Sequence, residues 1–506
     1  MSGFEMEKST GDYALTARKI RSNIVRKEVG TDFVLPDYMG DIKRMLKYNA
    51  YVTPCNKLVT ADEASFLAVV TFRVVYLDSE DTLTEAVFTQ DCEIAEKALG
   101  NLDDADVGYK VQSVALKLGG PRKISAKATV GCDISFVETE EICERSEYDG
   151  AEALKKEIEV HTAEYLKCAE REYAEEIDKI DEKTTDDVEV VKSFAEAFID
   201  GVHKTDGGVN LSGYVDAFCI LRSDDGIVRI EKRIPVEEHV ECQTYDESAF
   251  IPMAYVTGVN VNLNNVNNDD ECSVSVVMNM TVECTLAHHY NEKISVTLDA
   301  FYKGCKNECI YESYEYAKLG ECIFDKAFIS TDFERGESAL TDIIEKELTL
   351  KNTRYDVTGT DVLVTCDAEL HVIARGNSME DCYPIKHTFE LSKKYKLPVK
   401  ENTKLDINAI PCDVSVTFDS EKMYVEAQVL ISALAQIKEN EKILKDIEYE
   451  EKTPDNDCSV IVYYPEKDDT LWSVSKKYGV SPSALAQKNG IAGNEELNLS
   501  KIIIVK

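Results

Sequence analysis

The stretch VALKLGGPRKISAKATVGCDISF, residues 114–136, alternates apolar and polar positions on both sides of a Gly-Gly-Pro turn. Val114, Leu116 and Leu118 lead into Gly119-Gly120-Pro121, and Ile124, Ala126, Ala128, Val130, Cys132, Ile134 and Phe136 lead away from it. In an extended chain every second side chain falls on one face, so the pattern predicts an antiparallel hairpin with one face buried and the other in water. It recurs twice. Val259, Val261 and Leu263 run into an Asn-rich turn from which Val274, Val276, Met278, Met280, Val282 and Cys284 return. Val414, Val416 and Phe418 turn at Asp419-Ser420 into Met423, Val425, Ala427, Val429 and Ile431.

Two further marks keep step with these hairpins. A β-branched or aromatic strand ends in a polar turn in VTFRVVYLDSED (70–81), VDAFCILRSDDG (215–226) and DAELHVIARGNS (367–378). A segment with apolar residues at helical spacing opens at Asp41-Ile42 with Met45 and Leu46, at Asp187-Val188 with Val191 and Phe194, and at Asp342-Ile343 with Ile344 and Leu348. Three marks that share a period of about 150 residues indicate an internal repeat. Long alternating segments, Ile158 to Tyr173 and Ile294 to Glu308, read as lead-in strands to the second and third copies. The expectation is a mainly β, multidomain chain: three antiparallel β-rich repeats over 1–145, 146–293 and 294–452, each with a short helix.

A polar Pro- and Asp-containing linker at 453–458 precedes a segment of different character, 459–506. It reads strand, helix, helix, strand, a small α+β module. Asp469-Thr470 is a helix-start signal, with Leu471, Trp472, Val474 and Tyr478 following at helical spacing, and Gly479 is placed to end that helix. Ser481-Pro482 opens the next.

This tail resembles a LysM module. The resemblance rests on Asp469-Thr470-Leu471-Trp472, Lys477-Tyr478-Gly479-Val480 and Asn489. LysM modules usually bind N-acetylglucosamine chains of peptidoglycan or chitin in a shallow groove. The resemblance places that groove between Asp468, Asp469, Thr470 and Leu471 on one side and Asn489, Gly490, Ile491, Glu496 and Leu497 on the other. Trp472, Tyr478 and Gly479 are then structural core residues. Asp468 stands where the family usually has Gly, and Leu499-Ser500-Lys501 replaces its Pro-Gly-Gln turn, which leaves room for a protein ligand.

The upstream repeats are similar to the SPOCS domain, best in Phe33-Val34-Leu35-Pro36, Asp41-Ile42-Lys43-Arg44-Met45-Leu46 and Val74-Val75-Tyr76 followed by Asp78. SPOCS repeats followed by a terminal LysM is the layout of SipL-type spore morphogenetic proteins of clostridia. That likeness implies a mother-cell protein at the forespore surface. It would tether coat layers through its LysM to the coat basement-layer ATPase, stage IV sporulation protein A, and to other coat proteins. The alternative is a LysM that binds peptidoglycan or its precursors.

Composition limits the remaining choices. Lys and Arg total 57 against 95 Asp and Glu in 506 residues, a formal charge of -38. Phosphate backbones and anionic membranes need a basic face, so neither nucleic acid nor membrane is an expected partner. No apolar run reaches the length of a signal peptide or a membrane span, so a cytoplasmic location is expected. The 16 cysteines, spread over the whole chain, read as reduced thiols. Cys132, Cys284, Cys366 and Cys412 fall on apolar strand phases and read as small core hydrophobes. Cys305 and Cys309, near His288-His289, lack the second pair of a structural zinc site. Asn267-Asn268-Asp269-Asp270 lacks the calcium-loop pattern and reads as a hairpin tip. No phosphate loop, nucleophile elbow or metalloprotease motif is present. A non-enzymatic scaffold without catalytic residue, metal or cofactor is the expectation.

Overall fold

The computed structural model describes residues 15–143, 147–168, 170–182, 184–223, 226–268, 271–336, 339–377, 382–451, 461–491 and 503–504. The chain is mainly β, with two short helices near its C-terminus. The expected hairpins are all present. β5 (Asn101–Gly120) and β6 (Lys123–Cys143) flank the first turn, β12 (Ala249–Asn268) and β13 (Glu271–Tyr302) the second, and β18 (Thr403–Phe418) and β19 (Lys422–Glu451) the third. Their alternation meets its physical purpose, since Ile124, Ala126, Ala128, Val130, Cys132, Ile134 and Phe136 are all buried on one face of β6. Asp269 and Asp270 of the Asn-rich turn lie outside the described residues.

The order of pairing is the same in three places. β1 (Leu15–Val34) pairs with β6, which pairs with β5, while β2 (Ile42–Val59), β3 (Glu63–Asp78) and β4 (Leu83–Lys97) form a three-stranded meander. β7 (Ala151–Lys167) and β8 (Arg171–Ile180) pair with β13, which pairs with β12, beside the meander β9 (Glu189–Thr205), β10 (Gly208–Ser223) and β11 (Gly226–Glu241). β14 (Cys305–Glu334) pairs with β19 and β19 with β18, beside β15 (Asp342–Thr358), β16 (Asp361–Arg375) and β17 (Cys382–Lys396). In each case the two sheets close on one apolar core. The first holds Phe66, Phe72, Ile134 and Phe136, the second Val215, Leu221, Met278 and Val282, and the third Val364, Leu370, Val425 and Val429. Removing such a side chain from water is worth about 1.5–3 kcal/mol, so these three sandwiches carry most of the stabilisation.

The structure corrects two expectations. The segments read as short helices at Asp41, Asp187 and Asp342 are strands β2, β9 and β15, preceded in the second case by a single 3-10 turn at Thr185–Asp187. Each strand carries a β-bulge, between Met45 and Lys47, Val190 and Lys192, and Ile343 and Glu345. A bulge inserts one residue and breaks the period of two, which leaves apolar residues three and four apart as a helix would. The second correction concerns the third lead-in: β13 runs without a break through residue 294 to Tyr302, and the chain turns at Lys303-Gly304 before β14 begins. The second lead-in is divided between β7 and β8, both of which pair with β13.

The bulges also explain how the sandwiches meet. The bulged residues Leu46, Val191 and Ile344 enter one shared apolar cluster with Val75, Ile220 and Ile373 from the neighbouring strands. A second shared cluster joins Ala17 and Ile142, Ile158 and Val296, and Tyr314 and Ile443. Immediately after each bulge stands a buried charge: Lys47, Lys192 and Glu345. Glu345 accepts from Lys47 at 2.5 Å and from Lys192 at 2.9 Å. Lys47 also pairs with Glu347, and Lys192 with Glu85 at 3.0 Å. Burial alone would raise the Glu345 carboxyl, but the Lys192 and Lys47 ammonium groups hold it far below the usual carboxylate range.

Glu345→Ala leaves both ammonium groups buried without their common partner. Breaking a buried pair from one side costs about 3–5 kcal/mol, and a urea midpoint lowered accordingly is the expected result. An unchanged midpoint would show that the contact does not hold the sandwiches together. Because the folded carboxyl is depressed, its stabilisation is complete above the unfolded value of about 4.3 and is lost as pH falls below it. The difference in stability between wild type and Glu345→Gln should therefore be largest at neutral pH and shrink below about pH 4.

Candidate functional site

The C-terminal module is built on a turn that its sequence makes expensive. β20 (Val462–Tyr463) pairs antiparallel with β21 (Ile503–Ile504), and between them lie α1 (Leu471–Tyr478) and α2 (Pro482–Asn489). Asp468 has φ +73, a left-handed conformation in which glycine is comfortable and Asp is tolerated. This is the position where the LysM pattern has Gly. The next residue locks the turn: Asp469 accepts from Tyr463 Oη at 2.6 Å, from the Glu466 amide at 2.8 Å and from Ser473 Oγ at 3.3 Å. The Tyr463 hydrogen bond lowers its pKa from the ordinary value.

α1 starts with a reciprocal cap. Thr470 Oγ1 accepts from the Ser473 amide at 3.1 Å while Ser473 Oγ accepts from the Thr470 amide at 3.0 Å. The helix ends at Gly479 with φ +62, after Lys476 and Lys477 in its last turn, where positive charge suits the helix dipole. α2 opens with Ser481 and Pro482 and ends at Gly490, also at φ +62. Tyr463, Leu471, Val474 and Leu485 form the module's core, with Tyr478, Val480, Ala486 and Ile491 packed against it.

These contacts sort the residues expected to line the groove. Leu471, at the start of α1, belongs to the module's apolar cluster, and Ile491, after α2, packs against it. Leu471 is itself buried, so it supports the module rather than presenting a side chain. Asp469 and Thr470 spend their side-chain oxygens on the turn and the cap. Asn489 Nδ2 donates back to the Leu485 carbonyl at 2.9 Å. Asp468 and Gly490 are exposed, and a Cβ added at Gly490 would meet nothing within 4 Å. Glu496 and Leu497 lie outside the described residues. Among the described residues, the start of α1 and the end of α2 thus offer a ligand backbone, the Asp468 carboxylate and an open glycine.

Trp472 makes a contact that the sequence does not announce. Tyr478 packs against the module's core and Gly479 caps its helix, while Trp472, itself buried, meets Phe301 of β13, rings 5.2 Å apart and edge to face. Its Nε1 donates to Asp299 at 2.8 Å. Asp299 escaped notice because it sits in the alternating run VTLDAF, and only the bulge between Thr297 and Asp299 turns it toward the module.

Elsewhere the candidate clusters carry no such surface. Among the described residues no group of three or more His, Cys, Asp or Glu side chains is arranged to hold a metal ion. Cys132, Cys284, Cys366 and Cys412 are buried free thiols. His289 pairs with His161 at 3.2 Å in the interior, where burial pushes the pKa of both well down, that of His289 to about 3. No described helix is long and apolar enough to cross a membrane.

No curated protein and no solved structure matches the chain. One family model does, and it covers the turn, both helices and the closing strand just described: residues 466–506 are a LysM domain.

Proposed function

We propose that the chain is a non-enzymatic scaffold whose LysM domain binds N-acetylglucosamine-containing glycan, peptidoglycan or its precursors. The observation that carries this reading is the LysM match over residues 466–506, in which Asp468 and the open Gly490 are exposed. A pyranose ring presents equatorial hydroxyls and an acetamido group, which hydrogen-bond well to backbone amides and carbonyls at helix ends. The three sandwiches upstream are read as copies of one unit that carry the domain and offer edge strands, such as β1 and β14, for pairing with other chains.

A second reading has its own support. Asp468 puts a carboxylate where the family pattern has Gly, and three like-ordered sandwiches precede the domain. On this reading the chain is a SipL-type adaptor of endospore coat assembly. Its LysM holds the coat basement-layer ATPase, and its several contacts act together through raised effective concentration.

Sedimentation with insoluble peptidoglycan separates the two. The full chain should co-sediment and a chain ending at residue 458 should not; equal retention of both would remove the LysM domain from glycan binding. Asp468→Gly relieves the left-handed strain, by about 1 kcal/mol, and removes the carboxylate. Stronger retention on glycan is expected from it. Weakened glycan retention together with loss of the ATPase from pull-downs would favour the adaptor instead.

A further inference from the structure

Trp472 and Lys476 stand one turn apart on α1, and both reach one carboxylate on the β body. Asp299 Oδ2 accepts from Trp472 Nε1 at 2.8 Å, and Oδ1 accepts from Lys476 Nζ at 2.5 Å and from Tyr311 Oη at 2.8 Å. The carboxyl is mostly shielded from water, with 18% of its side-chain surface exposed. Burial by itself would raise it, and the Lys476, Trp472 and Tyr311 contacts together bring it below the ordinary range. Phe301, fully buried, meets the Trp472 ring edge to face. Lys476 Nζ also lies 3.4 Å from Cys309 Sγ.

The backbones approach as closely as the side chains. A Cβ placed on Gly479 would lie 3.0 Å from the amide nitrogen of Gly304, in the turn between β13 and β14. Both glycines have positive φ, +62 and +71, so two turns that need glycine for their own geometry are also the two that touch. Contacts of four kinds therefore meet on one face of α1: a charged pair, a hydrogen bond from an indole, an aromatic edge and a backbone-to-backbone approach.

We infer that Asp299 is a latch that seats the LysM domain on the β body, and that the partner of the Trp472 face of α1 is this same chain. The covered face is unavailable to any ligand of the module. Ligands must reach the module from its other faces, where Asp468 and Gly490 are exposed, and whatever binds there is held at a set orientation to the sandwiches. A tail on a free linker would present its groove in every direction; a seated one presents it in one. The inference is independent of what the groove binds.

The chain has a single tryptophan, so its fluorescence reports the seat directly. In the full chain, Asp299→Ala should shift the emission to longer wavelength and raise the acrylamide quenching constant by about two-fold or more, as expected of a locally opened contact. Asp299→Asn should fall between, because its amide oxygen still accepts from Trp472 while the charge opposite Lys476 is gone. The strand signal in circular dichroism should match wild type in both. Lys476→Ala changes the module alone and should reproduce the shift in smaller measure, which keeps the test decisive if Asp299→Ala loosens the β body itself. Wild-type emission and quenching in Lys476→Ala, or in a folded Asp299→Ala, would overturn the latch.

Discussion

The ammonium groups of Lys47 and Lys192 both reach Glu345 in a region shut off from water, and the rest of the molecule is arranged around the cost of putting them there. Two buried cations and one anion would not balance; Glu347, two residues further along β15, and Glu85 of β4 add two anions, and Arg73 beside Glu85 brings the third cation. Each of the three central charges follows a β-bulge, and each bulge sends the preceding apolar residue into a cluster common to all three sandwiches. The charges differ where the bulges agree. Three lysines or three glutamates at these positions would repel one another in a low-dielectric interior, so only a mixed set closes. The contact therefore specifies which sandwiches meet as well as how firmly they do so.

A body closed in this way gives the LysM domain a solid surface to rest on. β13 is the connecting element. Its first half builds the core of the second sandwich, and its last residues, Asp299 and Phe301, meet α1. The bulge at Thr297–Asp299 repeats on a small scale the device used at the centre: an inserted residue re-aims a charge that a regular strand would have pointed elsewhere. Asp468 and Gly490 stay exposed on the seated module, which leaves the proposed recognition surface open.

Much of the fold was legible in the sequence because alternation is a direct image of a half-buried strand. Ile124 through Phe136 and Met423 through Ile431 read as buried faces and are buried faces. The module's helix ends were equally readable, since Thr470, Gly479 and Pro482 are local signals, although Ser481 makes no side-chain cap. What failed were the places where strands are irregular. The bulges in β2, β9 and β15 imitate helical spacing, and the periodicity that marks a strand is the property a bulge removes. Long-range choices were also hidden. Lys47, Lys192 and Glu345 look like solvated charges in sequence, and Asp299 looks like one more acidic residue among 95 Asp and Glu. Trp472 has the spacing of a core residue in its own helix. Only the presence of β13 beside it makes it an interface residue.

The account stands or falls on whether recognition occurs at the free end of a seated LysM domain. Hydrogen exchange of the full chain, with and without a soluble peptidoglycan oligosaccharide, measures this amide by amide. Added protection is expected over 468–471 and at 489–491, with exchange in β13 near Asp299 and at the capped end of α1 unchanged. Protection that appears instead on the sandwich strands, or loss of protection at Asp299 as ligand binds, would contradict it.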